Sequence, residues 1–376
     1  RKARRCHAGP SCRLSAVGGF ALYSGMTAGR HTRFCTSADG TRIAVSCDGD
    51  GPVLLRAAHW LTHVVYDHES PVWRPWIRSL SRDRCYVRYD QRGCGLSDRF
   101  VREISFKTWM EDLEAVAATL PDRPFALLGM SQGGALAITY ALSHPDRVSH
   151  LILYGAYGQG AVVRAKTEEE RLEAETLVNL VRVGWARDNP AFRQVFTNTF
   201  IPGGTAEQHE WWNELERRTA TPDTVVRTLE EVQRIDVLEA AAGLAVPTLV
   251  LHSRGDLRVP FEEGCRLAAR IPGARFVPLD SRNHVLLGDE PAWQVFQDEL
   301  ARFLAPADGP PRAAREARLT SAEAEVLRLV ATGIDNRAIA RQLGKSEKTV
   351  RNQITAILDK LGVHSRAEAI VRALSG

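Results

Sequence analysis

Ser131 stands in Gly129-Met130-Ser131-Gln132-Gly133, a G-x-S-x-G pattern with an apolar run, 125–128, before it and a small-residue stretch, 133–141, after it. A serine hydroxyl becomes a nucleophile when a turn exposes its oxygen and a nearby base takes its proton. A strained strand-to-helix turn brings the backbone two residues either side against neighbouring elements, where a Cβ would clash, which gives glycine a mechanical reason at 129 and 133. An acid and a base follow in chain order. Asp256 ends PTLVLHSRGD and His284 lies in LDSRNHVLL. The intervals of 125 and 28 residues leave room for a helical insertion, then for one helix and one strand. Singly, Asp256 reads as a turn carboxylate and His284 as a loop histidine. In this order, at strand ends, the three read as a catalytic triad.

A second polar set lies near the C-terminus. Val350, Ile354, Ile357, Leu358 and Leu361 recur at helical spacing and form one apolar stripe. The opposite face carries Lys348, Arg351, Asn352 and Thr355, whose side chains offer hydrogen bonds to base edges and phosphates. Taken alone, such a face is an ordinary solvated one. Its surroundings say more: Thr320 with Glu323 and Ser365 with Glu368 have capping-box spacing, Asp335 and Ser346 open the two helices between, and Gly344 turns the chain between them. Four short helices in this arrangement make a helix-turn-helix layout.

The elements that must hold these residues are legible as patterns. From Thr41 to about Leu304, β-branched or apolar runs alternate with helical periodicity, which predicts an α/β fold around a mostly parallel sheet. Strands are expected at 42–47, 53–57, 84–89, 125–128, 149–154, 248–251 and 274–279. Between Gly160 and Gly243 strand signals stop, and helix-forming stretches at 167–186, 210–218 and 224–238 predict a helical cap. Residues 305–318, APADGPPRAAREAR, hold three prolines and no apolar period, as a linker does. The expected organisation is an N-terminal extension without fixed structure at 1–32, an α/β domain at 33–304 with its cap at about 160–243, a linker at 305–318 and an all-α domain at 319–376.

Composition narrows the classes. With 44% apolar and 25% charged residues among 376, fibrous and disordered classes are excluded, and no uncharged apolar run is long enough to suggest a membrane span. The net charge of +4 is unevenly spread: residues 319–376 carry nine Lys/Arg against six Asp/Glu, whereas 26–304 are net acidic, so a polyanion partner suits the tail alone. Seven cysteines without ligand spacing favour neither a disulfide framework nor a metal site, and no cofactor is implied. A reducing, cytoplasmic setting fits best. The basic opening segment resembles a secretory leader only faintly, because Arg13, Ser15 and two glycines break its apolar stretch, and Met26 offers an alternative start.

Residues 33–304 resemble the α/β-hydrolase fold superfamily on the serine turn, on the acid and histidine that follow it, and on Asp90-Gln91-Arg92-Gly93-Cys94-Gly95-Leu96-Ser97, which looks like that superfamily's D-x-R-G-x-G-x-S turn and is chiefly structural. The resemblance implies Ser131 as nucleophile, His284 as general base, Asp256 as the group orienting it, and the backbone N–H of Gln132 in an oxyanion hole. Many relatives have His-Gly after the third strand; here His59-Trp60 stands there, and the Trp60 N–H is the candidate second donor. Trp60 also sets a large ring at the pocket mouth beside Tyr66, Trp73 and Trp76, although core packing is the commoner fate of such rings.

Residues 319–376 closely resemble the LuxR-type helix-turn-helix family through LTSAEAEVL, IARQL, SEKTVRNQ and KLGVHSR. That resemblance implies base-facing roles for Arg351, Asn352 and Thr355, backbone-phosphate roles for Lys348, Thr349 and Gln353, and a homodimer paired through the last helix, 366–374. The expectation is a transcriptional regulator that binds double-stranded DNA and whose hydrolase-like domain senses or hydrolyses a small ester- or lactone-type ligand. The alternatives are a working serine hydrolase with secondary DNA binding, and a degenerate hydrolase fold that only dimerises.

Overall fold

The computed structural model describes residues 32–187, 189, 191–305, 321–331 and 334–361. Two compact units divide the chain, 1–297 and 298–376. Apart from Ala305, the expected linker lies outside the described residues, as do the extension 1–31, the last-helix dimer segment and the capping residues Thr320, Ser365 and Glu368.

In the first unit eight strands form one sheet: β1 (Thr32–Thr36), β2 (Arg42–Asp48), β3 (Val53–Arg56), β4 (Cys85–Tyr89), β5 (Phe125–Met130), β6 (Val148–Tyr154), β7 (Thr248–Ser253) and β8 (Arg275–Leu279). Their order is β1-β2-β4-β3-β5-β6-β7-β8, antiparallel through β1, β2 and β4 and parallel from β4 onward. Every residue of β3, β4, β5 and β7 is buried, which is why these strands read as mainly apolar runs rather than alternating ones, with Arg56, Arg88 and His252 as buried exceptions. All seven expected strands form. The eighth, β1, went unseen because TRFCT is a short edge strand with no apolar alternation.

Helices α1 (Trp73–Leu80), α2 (Phe106–Ala117) and α3 (Gly133–Ser143) follow successive strands, and α3 packs on β5 and β6. The cap comprises α4 (Ala161–Arg164), α5 (Glu168–Gly184), α6 (Ala191–Phe200), α7 (Ala206–Thr219) and α8 (Pro222–Val232). Its helices start where side chains satisfy free backbone N–H groups: Thr167 with Glu170 and Thr205 with Gln208 form capping boxes. Helix α6 is absent from the expectation, since AFRQVFTNTF is rich in aromatic and β-branched residues of modest helix propensity. It forms because Phe196, Thr197 and Phe200 are buried on one face. Helices α9 (Phe261–Arg270) and α10 (Pro291–Phe303) complete the series.

The D-x-R-G-x-G-x-S turn is structural, as expected. Asp90 accepts the N–H groups of Val64 and Leu96, each at 2.8 Å, while Ser97 Oγ donates to Asp90 O and accepts from Ala44 N. Arg92 is fully buried in a bidentate pair with Asp112 at 2.8 and 2.7 Å. One departure from expectation is a disulfide between Cys47 and Cys85, whose Cα atoms are 6.0 Å apart. Pairing of β2 with β4 brings together two cysteines whose separation of 38 residues gave no cue.

The second unit contains α11 (Ser321–Ala331), α12 (Asn336–Leu343) and α13 (Glu347–Leu361). Val326, Val330, Ile339, Ala340, Val350, Ile354 and Ile357 form its core, with Leu358 packed against it, so four residues of the expected stripe face inward, and the side chain of the fifth, Leu361, lies outside the described ones. Asp335 caps α12 by accepting from Ala338 N at 2.7 Å, and Gly344 ends it at φ 62°, the left-handed conformation glycine tolerates.

Candidate active site and nucleic-acid interface

Ser131 occupies the turn between β5 and α3 with φ 50°, a conformation that costs an L-residue about 1–2 kcal/mol. The surroundings enforce it. A Cβ at Gly129 would lie 2.6 Å from Gly134 Cα, and one at Gly133 would lie 2.8 Å from Ala58 O, so both glycines permit backbone contact. The Ser131 N–H donates to Tyr154 O at 3.0 Å, which ties the turn to the end of β6.

Asp256 follows β7 and His284 follows β8, and the fold brings them together: His284 Nδ1 lies 2.6 Å from Asp256 Oδ2. Both are buried, 8% and 3% exposed. Asp256 Oδ1 accepts the N–H groups of Arg258 at 2.8 Å and Val259 at 2.9 Å, which fixes the carboxylate in the turn. Burial opposes its charge, but the His284 imidazole and the Val259 N–H outweigh that and hold the carboxyl below its ordinary range. The His284 ring lies over Gly155, directly after Tyr154 whose carbonyl accepts from Ser131: a Cβ there would come within 3.0 Å of His284 Cε1. Among the described residues no hydrogen bond joins Ser131 Oγ to His284. Catalytic contacts of this kind are commonly long before a ligand arrives.

The His284 loop is held from several sides. Phe200 O accepts the His284 and Val285 N–H groups at 2.8 and 3.1 Å, Trp76 Nε1 donates to Leu286 O at 2.9 Å, and Glu290 accepts from Ser281 Oγ and Leu287 N, each at 2.6 Å. Sequence reasoning missed Phe200, Glu290 and His252. His252 Nε2 lies 3.5 Å from Asp256 Oδ2 and 3.0 Å from Val259 O. The visible signal for His252 was a histidine inside an otherwise apolar strand.

The two oxyanion candidates sit on neighbouring turns, since a Cβ on Gly133 would meet Ala57 and Ala58. Gln132 is the N-cap of α3, and the Gln132 and Trp60 N–H groups find no backbone acceptor among the described residues. Trp60 lies in the turn after β3, where the Ala57 N–H donates to Leu128 O at 2.9 Å and Gly133 packs against Ala57 and Ala58. Its ring is buried against cap residues Phe196, Phe200 and Trp185, with centroids 6.1, 6.3 and 6.1 Å away. Trp73 and Trp76 are core, and Tyr66 stacks on Trp211 at 5.0 Å.

On α13, Lys348, Thr349, Arg351, Asn352 and Thr355 are exposed, while Gln353 is half-buried. Ser346 caps the helix by accepting from Thr349 N at 3.0 Å. Arg351 lies 3.5 Å from Glu347, Thr355 Oγ1 donates to Arg351 O, and Lys345 Nζ donates to Gln353 Oε1 at 3.2 Å. Lys345 and Glu347 were not anticipated as neighbours of the polar face.

A mostly parallel sheet with a serine in a strained strand-to-helix turn, and an acid–histidine pair on the loops after the last two strands, defines the hydrolase class of α/β proteins. Residues 66–291 match the alpha/beta hydrolase fold family, and the chain belongs to it. Residues 317–373 match the bacterial regulatory proteins of the luxR family. Among relatives, the chain is 27% identical over 239 residues to a pimeloyl-[acyl-carrier protein] methyl ester esterase of Nitrosomonas europaea, covering 62% of this chain and 89% of that protein. It is 26% identical over 250 residues to a pyrrolizixenacetamide deacetylase of Xenorhabdus hominickii, covering 63% and 86%. An esterase structure from Exiguobacterium antarcticum superimposes with a TM-score of 0.60 at 24% identity over 72% of this chain and 98% of that one, which establishes the fold. No helix among the described residues is long and apolar enough to cross a membrane.

Proposed function

We propose that this chain is a cytoplasmic, DNA-binding transcriptional regulator, homodimeric on DNA, whose α/β-hydrolase domain senses or hydrolyses a small ester- or lactone-type ligand. One observation carries the reading: the 2.6 Å Asp256–His284 pair beside the strained Ser131 turn occurs in the same chain as a helix-turn-helix unit with an exposed polar face. In this reading Ser131 attacks the ligand carbonyl, His284 takes its proton, Asp256 orients the imidazole, and the N–H groups of Gln132 and Trp60 receive the oxyanion. The printed names of two relatives, an ester esterase and a deacetylase, support acyl chemistry for such a site. On the DNA side, Arg351, Asn352 and Thr355 read base edges, while Lys348, Thr349 and Gln353 hold phosphates. The proposed boundaries remain 33–304 for the hydrolase domain and 319–376 for the DNA-binding domain.

A second reading, a working serine hydrolase for which DNA binding is secondary, is favoured by the complete Ser131, Asp256 and His284 set. Two assays on the full chain test and separate the readings. A serine-directed alkyl phosphonate should label the protein at Ser131 and leave Ser131→Ala unlabelled, and the protein should bind a duplex selected from a random library. Labelling without sequence-selective binding supports the hydrolase; labelling that persists in Ser131→Ala overturns the site.

A further inference from the structure

Three cap helices and the turn after β3 converge on a carboxyl group that the triad does not use. Glu216 on α7 is 0% exposed. Its Oε1 accepts from Trp212 Nε1, one turn earlier, at 3.2 Å, but its Oε2 has no partner. Trp60 Nε1 faces the same carboxyl without reaching hydrogen-bond geometry and is itself unpaired. Trp185 Nε1 and Arg193 Nε are also buried and unpaired. Arg193 is otherwise spent on the carbonyls of Trp185 and Arg187, each at 2.7 Å.

These polar atoms are set among rings. Trp60 stacks nearly parallel to Phe196 and Phe200, Trp185 meets Trp60 edge-on, and Phe200 lies 5.2 Å from Trp212. Phe200 also connects the box to the triad, with its ring 5.4 Å from that of His284. A buried polar atom without a partner is destabilising, and several together call for an explanation. One ligand group placed among them would satisfy several at once.

We propose that Glu216 is a specificity-determining residue of the ligand site, and that the site takes uncharged ligands with a planar aromatic body carrying a hydroxyl or amide group. Such a group donates to Glu216 Oε2 and accepts from an indole N–H, and because Trp60, Phe196 and Phe200 pack on one another and are 5% exposed or less, the aromatic body enters by displacing one of these rings and takes its place against the others. Burial pushes the Glu216 carboxyl well above its ordinary range, which fits an uncharged partner better than a charged one. The charges of Arg193 and Arg258 act on the same carboxyl and disfavour a cationic ligand despite the aromatic walls. This inference rests on the reading of the hydrolase domain as a ligand site, but it requires binding and not turnover.

The test is a set of equilibrium titrations on the full chain carrying Ser131→Ala, which keeps any ester intact, followed by tryptophan fluorescence. Two pairs of aryl esters are used, each pair differing by one ring hydroxyl, placed on the acyl ring in one pair and on the alcohol ring in the other. A third analogue carries trimethylammonium in place of the hydroxyl. In at least one pair the hydroxylated member should bind about fivefold to tenfold tighter. Glu216→Gln, which still offers a donor and an acceptor, should keep that preference; Glu216→Leu should abolish it. Trp60→Phe, which keeps a ring and removes the N–H, should narrow it, and serves if a thermal melt shows Glu216→Leu unfolded. No preference in either pair, the same preference in Glu216→Leu or Trp60→Phe, or tighter binding of the cation overturns the proposal. Phosphonate labelling of the Ser131 protein reports separately on the triad, so loss of selectivity with labelling intact refutes this inference alone.

Discussion

The Asp256 carboxylate faces two imidazoles through one oxygen: Oδ2 is 2.6 Å from His284 Nδ1 and 3.5 Å from His252 Nε2. They do not compete equally. His252 is fully buried, which lowers its pKa and keeps it neutral, and its Nε2 faces the Val259 carbonyl, an acceptor, so that nitrogen carries the proton. The negative charge of Asp256 is therefore directed to His284, and His252 acts as a wall behind it.

Asp256→Asn tests this directly. The amide oxygen can still accept from Arg258 and Val259, but the amide nitrogen then faces His284 Nδ1 and forces the tautomer whose Nε2 cannot take the Ser131 proton. The rate of phosphonate labelling, and of any ester turnover, should fall about 10³- to 10⁴-fold with folding retained. A loss below tenfold would remove Asp256 from the triad.

The same carboxylate predicts an acid limb in stability. Its folded-state pKa is held below the ordinary value of about 3.9, so folding favours the charged form. That contribution is full above the unfolded value and is lost as pH falls through the folded one. The stability difference between the native chain and Asp256→Asn, from urea titrations, should be constant above about pH 5 and shrink below about pH 4. A difference that grows on acidification contradicts the assignment.

Gly133→Ala separates local propensity from packing. Alanine at the start of a helix normally gains up to about 1 kcal/mol over glycine. Here the new Cβ would lie 2.8 Å from Ala58 O and 3.1 Å from Ala57 O, both backbone atoms that cannot swing away. A net loss of about 1–3 kcal/mol is expected, with slower labelling at Ser131. A stabilised variant with normal labelling would show that the turn is not wedged.

On DNA, the contacts should divide by kind. Arg351→Ala should cost about 1–3 kcal/mol on the selected duplex and much less on random duplex. Lys348→Ala should weaken both alike and reduce the slope of log affinity against log salt by roughly 1 per half-site. Glu347 lies 3.5 Å from Arg351 on an exposed face, so Glu347→Gln should raise affinity modestly, because an exposed pair of this kind holds only about 0.3–0.5 kcal/mol. Equal losses on both duplexes for Arg351→Ala would show that this face does not read sequence.

The parts legible in the sequence are those in which local pattern and tertiary role coincide. Buried parallel strands announce themselves as apolar runs, and the elbow glycines, Asp335 and Gly344 sit where turn and cap geometry require them. Helix α6 and strand β1 were hidden because their stability comes from neighbours rather than from propensity. Long-range partners were hidden for a different reason: nothing in the chain order says that Phe200 accepts from His284, that Cys85 meets Cys47, or that Trp60 stacks on Phe196. The cysteine pair depends on the pairing of β2 with β4, and the other two on how the cap lies over the strand ends.

The central claim joins a ligand site to DNA binding, and one titration tests it. The affinity of the full chain for its selected duplex is measured before and after complete phosphonylation at Ser131, with Ser131→Ala treated alongside. A regulator whose hydrolase domain senses its ligand should show a change of about fivefold or more in dissociation constant on modification, and no change in Ser131→Ala. Complete modification of Ser131 with an unchanged affinity would contradict the account.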